Sequence, residues 1–213
     1  EPLEVTSLVT DIFISLDIRY FIGGSLASSL HGIPRATQDV DLVAELRPAH
    51  VKAFVEALDG QFYADEGMIK EAIKRGSSFN LIHLQTMFKV DVFILGRDER
   101  SQEEMSRREG YELSKEGREL FVASAEDIIL AKLHWYELGE RISERQWNDI
   151  QGVLQVQGGY EPGTSLTLST GHIADSAPPL NCMSTQEVTH AMVGDRYNAT
   201  TCPVYRCILC KIV

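Results

Sequence analysis

Two aspartates, Asp39 and Asp41, stand one residue apart inside the apolar run "QDVDLVAEL". Their spacing constrains this chain more than any other feature. In a strand, residues i and i+2 project from the same face. The two carboxylates therefore lie side by side while Val40 and Leu42 turn into the core. Adjacent carboxylates repel each other unless a cation lies between them, and a hard divalent ion with oxygen ligands, Mg²⁺ by preference, suits that place. A second run, "KVDVFI", sets Asp91 among apolar neighbours by the same alternation. Three strand-borne carboxylates on neighbouring strands fit a two-metal phosphoryl-transfer site.

The residues just before the first aspartate pair support that chemistry. "FIGGSLASSLHG" reads as a strand end, a glycine turn and a helix of about two turns, with Ser25 at its start and Gly32 at its end. Gly23 and Gly24 let the backbone approach a phosphate chain, and Ser25 offers a hydroxyl together with helix-start N–H groups. Taken singly, each motif has a plainer reading: D-x-D as a solvated strand face, G-G-S as turn chemistry, Asp91 as a partner of Lys89 or a remote arginine. Together they interlock, because a phosphate cradle and a metal site need each other.

Apolar spacing at Leu3, Val5, Leu8, Ile12 and Leu16 predicts a helix over 3–19. Further helices are expected over 48–60, with Pro48 in the first turn, over 66–76, and over the polar stretch 99–113. "FNLIHL" and "FKVDVFIL" read as strands joined by a hairpin at Gln85–Met87. Two helices follow over 124–140 and 143–157, with Ser124 and Ser143 as N-caps. The expected fold class is α/β: a small mixed sheet with flanking helices, then a helical extension. The expected domains are residues 1–120, an extension over 121–157, and an atypical, weakly ordered tail over 158–213. All four cysteines, Cys182, Cys202, Cys207 and Cys210, fall in that tail. One C-x-x-C without a matching second pair is a weak zinc signal, and no chemistry is assigned there.

Charge narrows the partners. The net charge is −11, and no basic stripe is present of the kind that neutralises a nucleic-acid backbone. No apolar run approaches the ~18 residues of a membrane span, and no signal-peptide pattern is visible. The expectation is a cytoplasmic protein without a membrane partner.

G-G-S, a gap, D-x-D and a later strand aspartate together resemble the signature of the polymerase-beta-like nucleotidyltransferases. "GGSLASSLHGIPRATQDVDLV" looks most like the small bacterial branch that includes abortive-infection and toxin–antitoxin nucleotidyltransferases. "SAEDIILAKLHWYELGERISERQWNDI" is similar to the helical motif of that branch. The resemblance spans roughly residues 1–157. It implies the nucleotidyltransferase fold and transfer of a nucleoside monophosphate from an NTP to an acceptor hydroxyl, with release of pyrophosphate and dependence on Mg²⁺ or Mn²⁺. By motif position, Asp39 and Asp41 would hold the metals. Asp91 would bind the second metal or serve as base for the acceptor. Gly23, Gly24 and Ser25 would cradle the β and γ phosphates. Lys132 is a candidate phosphate contact, and Arg35 and Thr37 would contact phosphate or order the loop before Asp39. Implied partners are the NTP, an acceptor that is a tRNA end, a protein or a small molecule, and a cognate antitoxin protein.

Two rival readings stand beside this one. A non-catalytic nucleotide-binding or antitoxin-like module of the same fold would share the motifs, although the presence of all three carboxylates counts against it. A carboxylate-pair hydrolase needs its two acids flanking a scissile bond at a set separation, not side by side on one strand. His31, His83 and His134 form no ligand cluster by spacing and read as structural. Asp149 is expected to pair with Lys132 or Arg145, while Trp135 and Trp147 are expected to pack between helices.

Overall fold

The structure is a computed structural model that describes residues 2–112 and 119–158. The expectations for the tail fall outside these residues. Within the chain, two compact units meet at Ile128 and Ile129.

In the first unit, Val5, Val9 and Phe13 recur at helical spacing and are buried on one side of α1 (Pro2–Ser15). The helix ends before the predicted residue 19, where Asp17 takes a left-handed conformation (φ 53°). The chain then passes through β1 (Tyr20–Ile22), α2 (Gly24–His31) and β2 (Asp39–Ala44). A 3₁₀ turn at Pro48–His50 leads into α3 (Val51–Leu58), followed by β3 (Phe62–Tyr63) and α4 (Glu66–Arg75). Asp65 caps α4 by accepting a hydrogen bond from the Met68 N–H at 2.7 Å, and Gly76 ends it at φ 62°. Strands β4 (Ser78–His83) and β5 (Lys89–Ile94) form the expected hairpin, closed by the Met87 N–H on the His83 carbonyl at 2.8 Å.

Helix α5 (Glu99–Arg107) is shorter than the polar stretch suggests. Residues beyond it form β6 (Glu109–Glu112), which pairs antiparallel with β7 (Glu119–Val122), Gly110 opposite Phe121. Glycine disfavours helix, and the strand partner decides the conformation here over local polarity. Among the described residues, the expected mixed sheet has seven strands, ordered β3-β4-β5-β2-β1-β7-β6. β2 runs parallel to β5 and antiparallel to β1, while β1 and β7 are parallel.

One sheet face is apolar throughout its centre. Ile22, Val40, Leu42, Phe79, Leu81, Val90, Val92 and Val122 share it and are buried. Phe13 of α1 stacks on Phe54 of α3 with ring centroids 5.3 Å apart, and Phe54 meets Phe79 of β4 edge-on at 6.3 Å. The helices thus cover this face. The alternate residues of the same strands carry the polar and charged groups.

α6 (Ala125–Leu138) starts where the sequence indicates: Ser124 Oγ accepts from the Asp127 N–H and donates to Asp127 Oδ2. α7 (Glu144–Gly158) follows, its Gln146 N–H reaching Ser143 Oγ at 3.4 Å. In the second unit, Lys132 of α6 and Asp149 of α7 form a buried ion pair at 2.8 Å, and Tyr136 packs on Trp147 at 5.5 Å. Trp135 is 54% exposed and does not pack as expected. Among the described residues, no helix is long and apolar enough to cross a membrane.

Candidate active site

The face of the sheet opposite the apolar core assembles the three aspartates. The parallel register sets Asp41 directly across from Asp91 and Asp39 directly across from Lys89. In-register neighbours on adjacent strands are ~4.8 Å apart along the hydrogen-bonding direction. Asp39, Asp41 and Asp91 therefore form one cluster, part-exposed, on the back of the buried pairs Val40–Val90 and Leu42–Val92. This juxtaposition depends on two segments about fifty residues apart in sequence, and only the structure shows it.

The glycine turn is fitted to the same carboxylates. The Gly23 N–H donates to the Asp41 carbonyl at 2.8 Å, extending the β1–β2 ladder into the turn. Gly24 sits at φ +56°, a left-handed conformation that costs a residue with a side chain. A Cβ at this position would lie 2.5 Å from Asp41 Cγ and 2.9 Å from Asp41 Cβ. Any side chain there would displace the Asp41 carboxylate. A Cβ on Gly23, by contrast, would meet nothing nearer than the Asp41 carbonyl oxygen at 3.9 Å. The chain itself needs a glycine at position 24 and leaves position 23 open.

α2 begins at this turn, with Gly23 rather than Ser25 as its N-cap. Ser25 is buried within the first turn, where its hydroxyl accepts a hydrogen bond from Arg35 Nη2 at 2.6 Å. That contact brings the guanidinium to the start of the helix. Thr37 Oγ1 lies 3.1 Å from Asp39 Oδ1 and 2.9 Å from the Asp39 carbonyl, so it orients the first aspartate. Gly23, Gly24, Ser25, Arg35, Thr37, Asp39, Asp41 and Asp91 are thus gathered around one turn and two strands. Lys132 belongs to the second unit, in the ion pair already described.

Two further residues share the site face. Lys89 Nζ lies 2.6 Å from Asp91 Oδ2. The hydrogen bond that Lys89 donates to Asp91, reinforced by the charges of Asp91, Asp39 and Asp41, holds the Lys89 ammonium above the usual lysine range. Asn80 on β4 stands opposite Asp91 and is exposed. The i, i+2 rule that finds Asp41 from Asp39 also finds Lys89 from Asp91. Asn80 could not be found that way, because it depends on the antiparallel register of β4 with β5.

The histidines lie elsewhere. His31 Nε2 is 2.7 Å from the Ala123 carbonyl, its other face against Tyr111. His83 Nδ1 meets Thr86 Oγ1 in the hairpin at 2.9 Å.

All three aspartates present carboxylate oxygen, the donor set a hard divalent ion takes. They are not already closed into a cage: Asp91 faces Lys89 and Asp39 faces Thr37. Among the described residues, no three His, Cys, Asp or Glu side chains converge as a ready-made ion site. The donor chemistry, carboxylate oxygen from three side chains, fits Mg²⁺ or Mn²⁺.

The seven-stranded mixed sheet with its flanking helices is the nucleotidyltransferase fold. The chain is similar to the crystal structure of ANT(2'')-Ia in complex with adenylyl-2''-tobramycin, at a TM-score of 0.52 and 15% identity over 73% of this chain and 89% of that one. Lower similarities, at TM-scores of 0.46 and 0.48, are to the lincomycin-bound lincosamide antibiotic adenylyltransferase LnuA and to an antigenic nucleotidyltransferase-like protein from Paracoccidioides brasiliensis. Their identities are 12% and 20%, over 70% and 71% of this chain and 93% and 73% of theirs. No protein-family model matches the sequence, and no curated protein matches it.

Proposed function

We propose that this protein is a metal-dependent nucleotidyltransferase, moving a nucleoside monophosphate from an NTP to an acceptor hydroxyl with release of pyrophosphate. One observation carries the reading. Asp39, Asp41 and Asp91 meet in register on one sheet face, beside a glycine turn whose Gly24 is held side-chain-free by Asp41 itself.

Asp39 and Asp41 would hold Mg²⁺ or Mn²⁺, with Asp91 at the side of the acceptor. Bound there, a divalent ion neutralises charge on the phosphates and lowers the pKa of the attacking hydroxyl. The remaining work belongs to the chain. Backbone N–H groups at Gly24 and Ser25, at the positive end of α2, bind phosphate oxygens. Arg35, held on Ser25, adds a fixed positive charge beside them and favours the triphosphate over water. Thr37 fixes the rotamer of Asp39. Asp91 receives the acceptor's proton or orients its hydroxyl for in-line attack. The α-phosphorus–oxygen bond to pyrophosphate breaks as the bond to the acceptor oxygen forms, and the proton leaves with the base.

A small-molecule hydroxyl is the first acceptor to try, because the fold neighbour ANT(2'')-Ia was crystallised with an adenylylated tobramycin. A tRNA end and a protein side chain are the other two classes. The experiment incubates the purified protein with each α-labelled NTP, Mg²⁺ and, separately, an aminoglycoside panel, bulk tRNA and a cell extract. Label should move to one class in the wild type. In Asp39→Asn or Asp41→Asn the rate should fall by more than ~10²-fold, the scale of losing one preorganised electrostatic group. Transfer at wild-type rates in both variants would sink the proposal. Metal-dependent NTP binding without transfer to any acceptor would favour the non-catalytic module.

A further inference from the structure

We infer that Lys89 acts as a built-in cation in place of a second metal, so that the site takes one divalent ion rather than two. The inference rests on the nucleotidyl-transfer reading of the carboxylates and deepens it.

The argument starts from register. Lys89 faces Asp39 across the β2–β5 ladder, and its side chain lies on the same face as all three aspartates. Its ammonium reaches along its own strand to Asp91 Oδ2 at 2.6 Å, a charge-assisted hydrogen bond of full strength. The three carboxylates, the Lys89 ammonium and the Arg35 guanidinium leave one negative charge, which a single divalent ion already outweighs. A second divalent ion at Asp91 would have to displace the ammonium from Oδ2 or share the carboxylate with it.

Geometry also favours this position for the lysine. Lys89 is the first residue of β5, and its side chain is 41% exposed. It enters the site from the start of the strand, with its ammonium on the Asp91 carboxylate. Lys89 is thus a positioning residue: it acts on the acceptor through Asp91, which it aligns.

Counting bound metal tests this without measuring catalysis. Free Mn²⁺ is titrated against the full chain, and bound Mn²⁺ per protein is read by electron paramagnetic resonance. Wild type should bind one ion. Lys89→Met should bind two, with the second at least ~10-fold tighter than any second ion in wild type. Lys89→Arg, which keeps the charge, should bind one. Two ions in wild type, or one in Lys89→Met, would overturn the inference while leaving the nucleotidyl-transfer reading standing. Two ions in Lys89→Arg would also overturn it, since charge would not be the cause. No bound Mn²⁺ in any of the three would overturn the carboxylate reading itself, and this inference with it. Two ions in wild type would overturn the inference even where a variant fails to fold.

Discussion

Gly24→Ala offers the sharpest test of the site geometry. Two separate costs should appear. The first is conformational: φ +56° is left-handed, and holding a side-chain-bearing residue there costs about 1–2 kcal/mol. The second is steric. The new methyl would lie 2.5 Å from Asp41 Cγ and 2.9 Å from Asp41 Cβ. Because the Asp41 Cβ is itself too close, rotating the carboxylate end alone does not relieve the clash. Either the turn shifts or Asp41 leaves its rotamer, at about 0.5–1.5 kcal/mol. The sum is about 1.5–3.5 kcal/mol, or roughly 3–14 °C of melting temperature in a domain of this size.

Gly76→Ala is the control. Gly76 also has positive φ, 62°, but a Cβ there meets nothing within 4 Å. It should show the conformational cost alone, about 1–2 kcal/mol. Thermal melting gives the stabilities, and calorimetric Mn²⁺ titration gives the state of Asp41. A displacement of ~1 Å at the reacting centre is worth about 10²-fold in transfer rate. Gly24→Ala should therefore lose metal affinity and transfer, while Gly76→Ala keeps both. If the two variants melted together and bound Mn²⁺ alike, the fit between the glycine turn and Asp41 would be refuted.

Gly23→Ala should leave the melting temperature within about 0.5 kcal/mol of wild type yet weaken Mg²⁺–NTP binding, because the open space at position 23 faces the proposed phosphate site; unchanged affinity by calorimetry would remove that glycine from the cradle. Lys132→Met should cost about 3–5 kcal/mol in urea unfolding, since it removes one partner of a buried ion pair, and Lys132→Met with Asp149→Leu should recover most of it; a small loss in the single variant would contradict a structural pair. Burial, aided by the nearby Asp127 carboxylate, pushes Glu104 up to about 7 from an ordinary 4.5. The folded state thus holds this proton more tightly, and stability is lost as pH rises from about 4.5 through about 7. Glu104→Gln should match wild type near pH 4.5 and exceed it at pH 8 by on the order of 1–2 kcal/mol, reduced by solvent screening; parallel pH–stability curves would rule the group out.

Much of this site is legible along the chain because strand alternation is strict. Asp41 and Asp91 each sit between residues that the structure buries, Val40 and Leu42 in β2, Val90 and Val92 in β5, and Asp39 stands just before the buried Val40. The polar–apolar rhythm alone says which side each takes. Caps were equally readable, since Ser124 and Ser143 work within three residues of themselves. Pairings at a distance were hidden. β3 and β7 are two and four residues long, too short for a period to show, and exist because neighbouring strands offer free hydrogen-bonding edges. Helix α5 ended early for the same reason, as Glu109–Glu112 found a partner in β7. Ser25 reads as the start of a helix, but the helix begins at Gly24 with Gly23 as its cap, and Ser25 is taken by Arg35.

The parallel pairing of β2 and β5 has a consequence for how the protein reaches its working state. Their pairing joins segments some fifty residues apart, so it closes slowly relative to the local hairpin of β4 and β5. Slipping this ladder by one residue would send the aspartates into the apolar layer and the valines out to solvent. A mispaired chain therefore fails as a fold and as a site in the same event. Refolding followed by metal uptake and refolding followed by burial of the core should show one common slow phase, with no long-lived species that has the core but lacks the site.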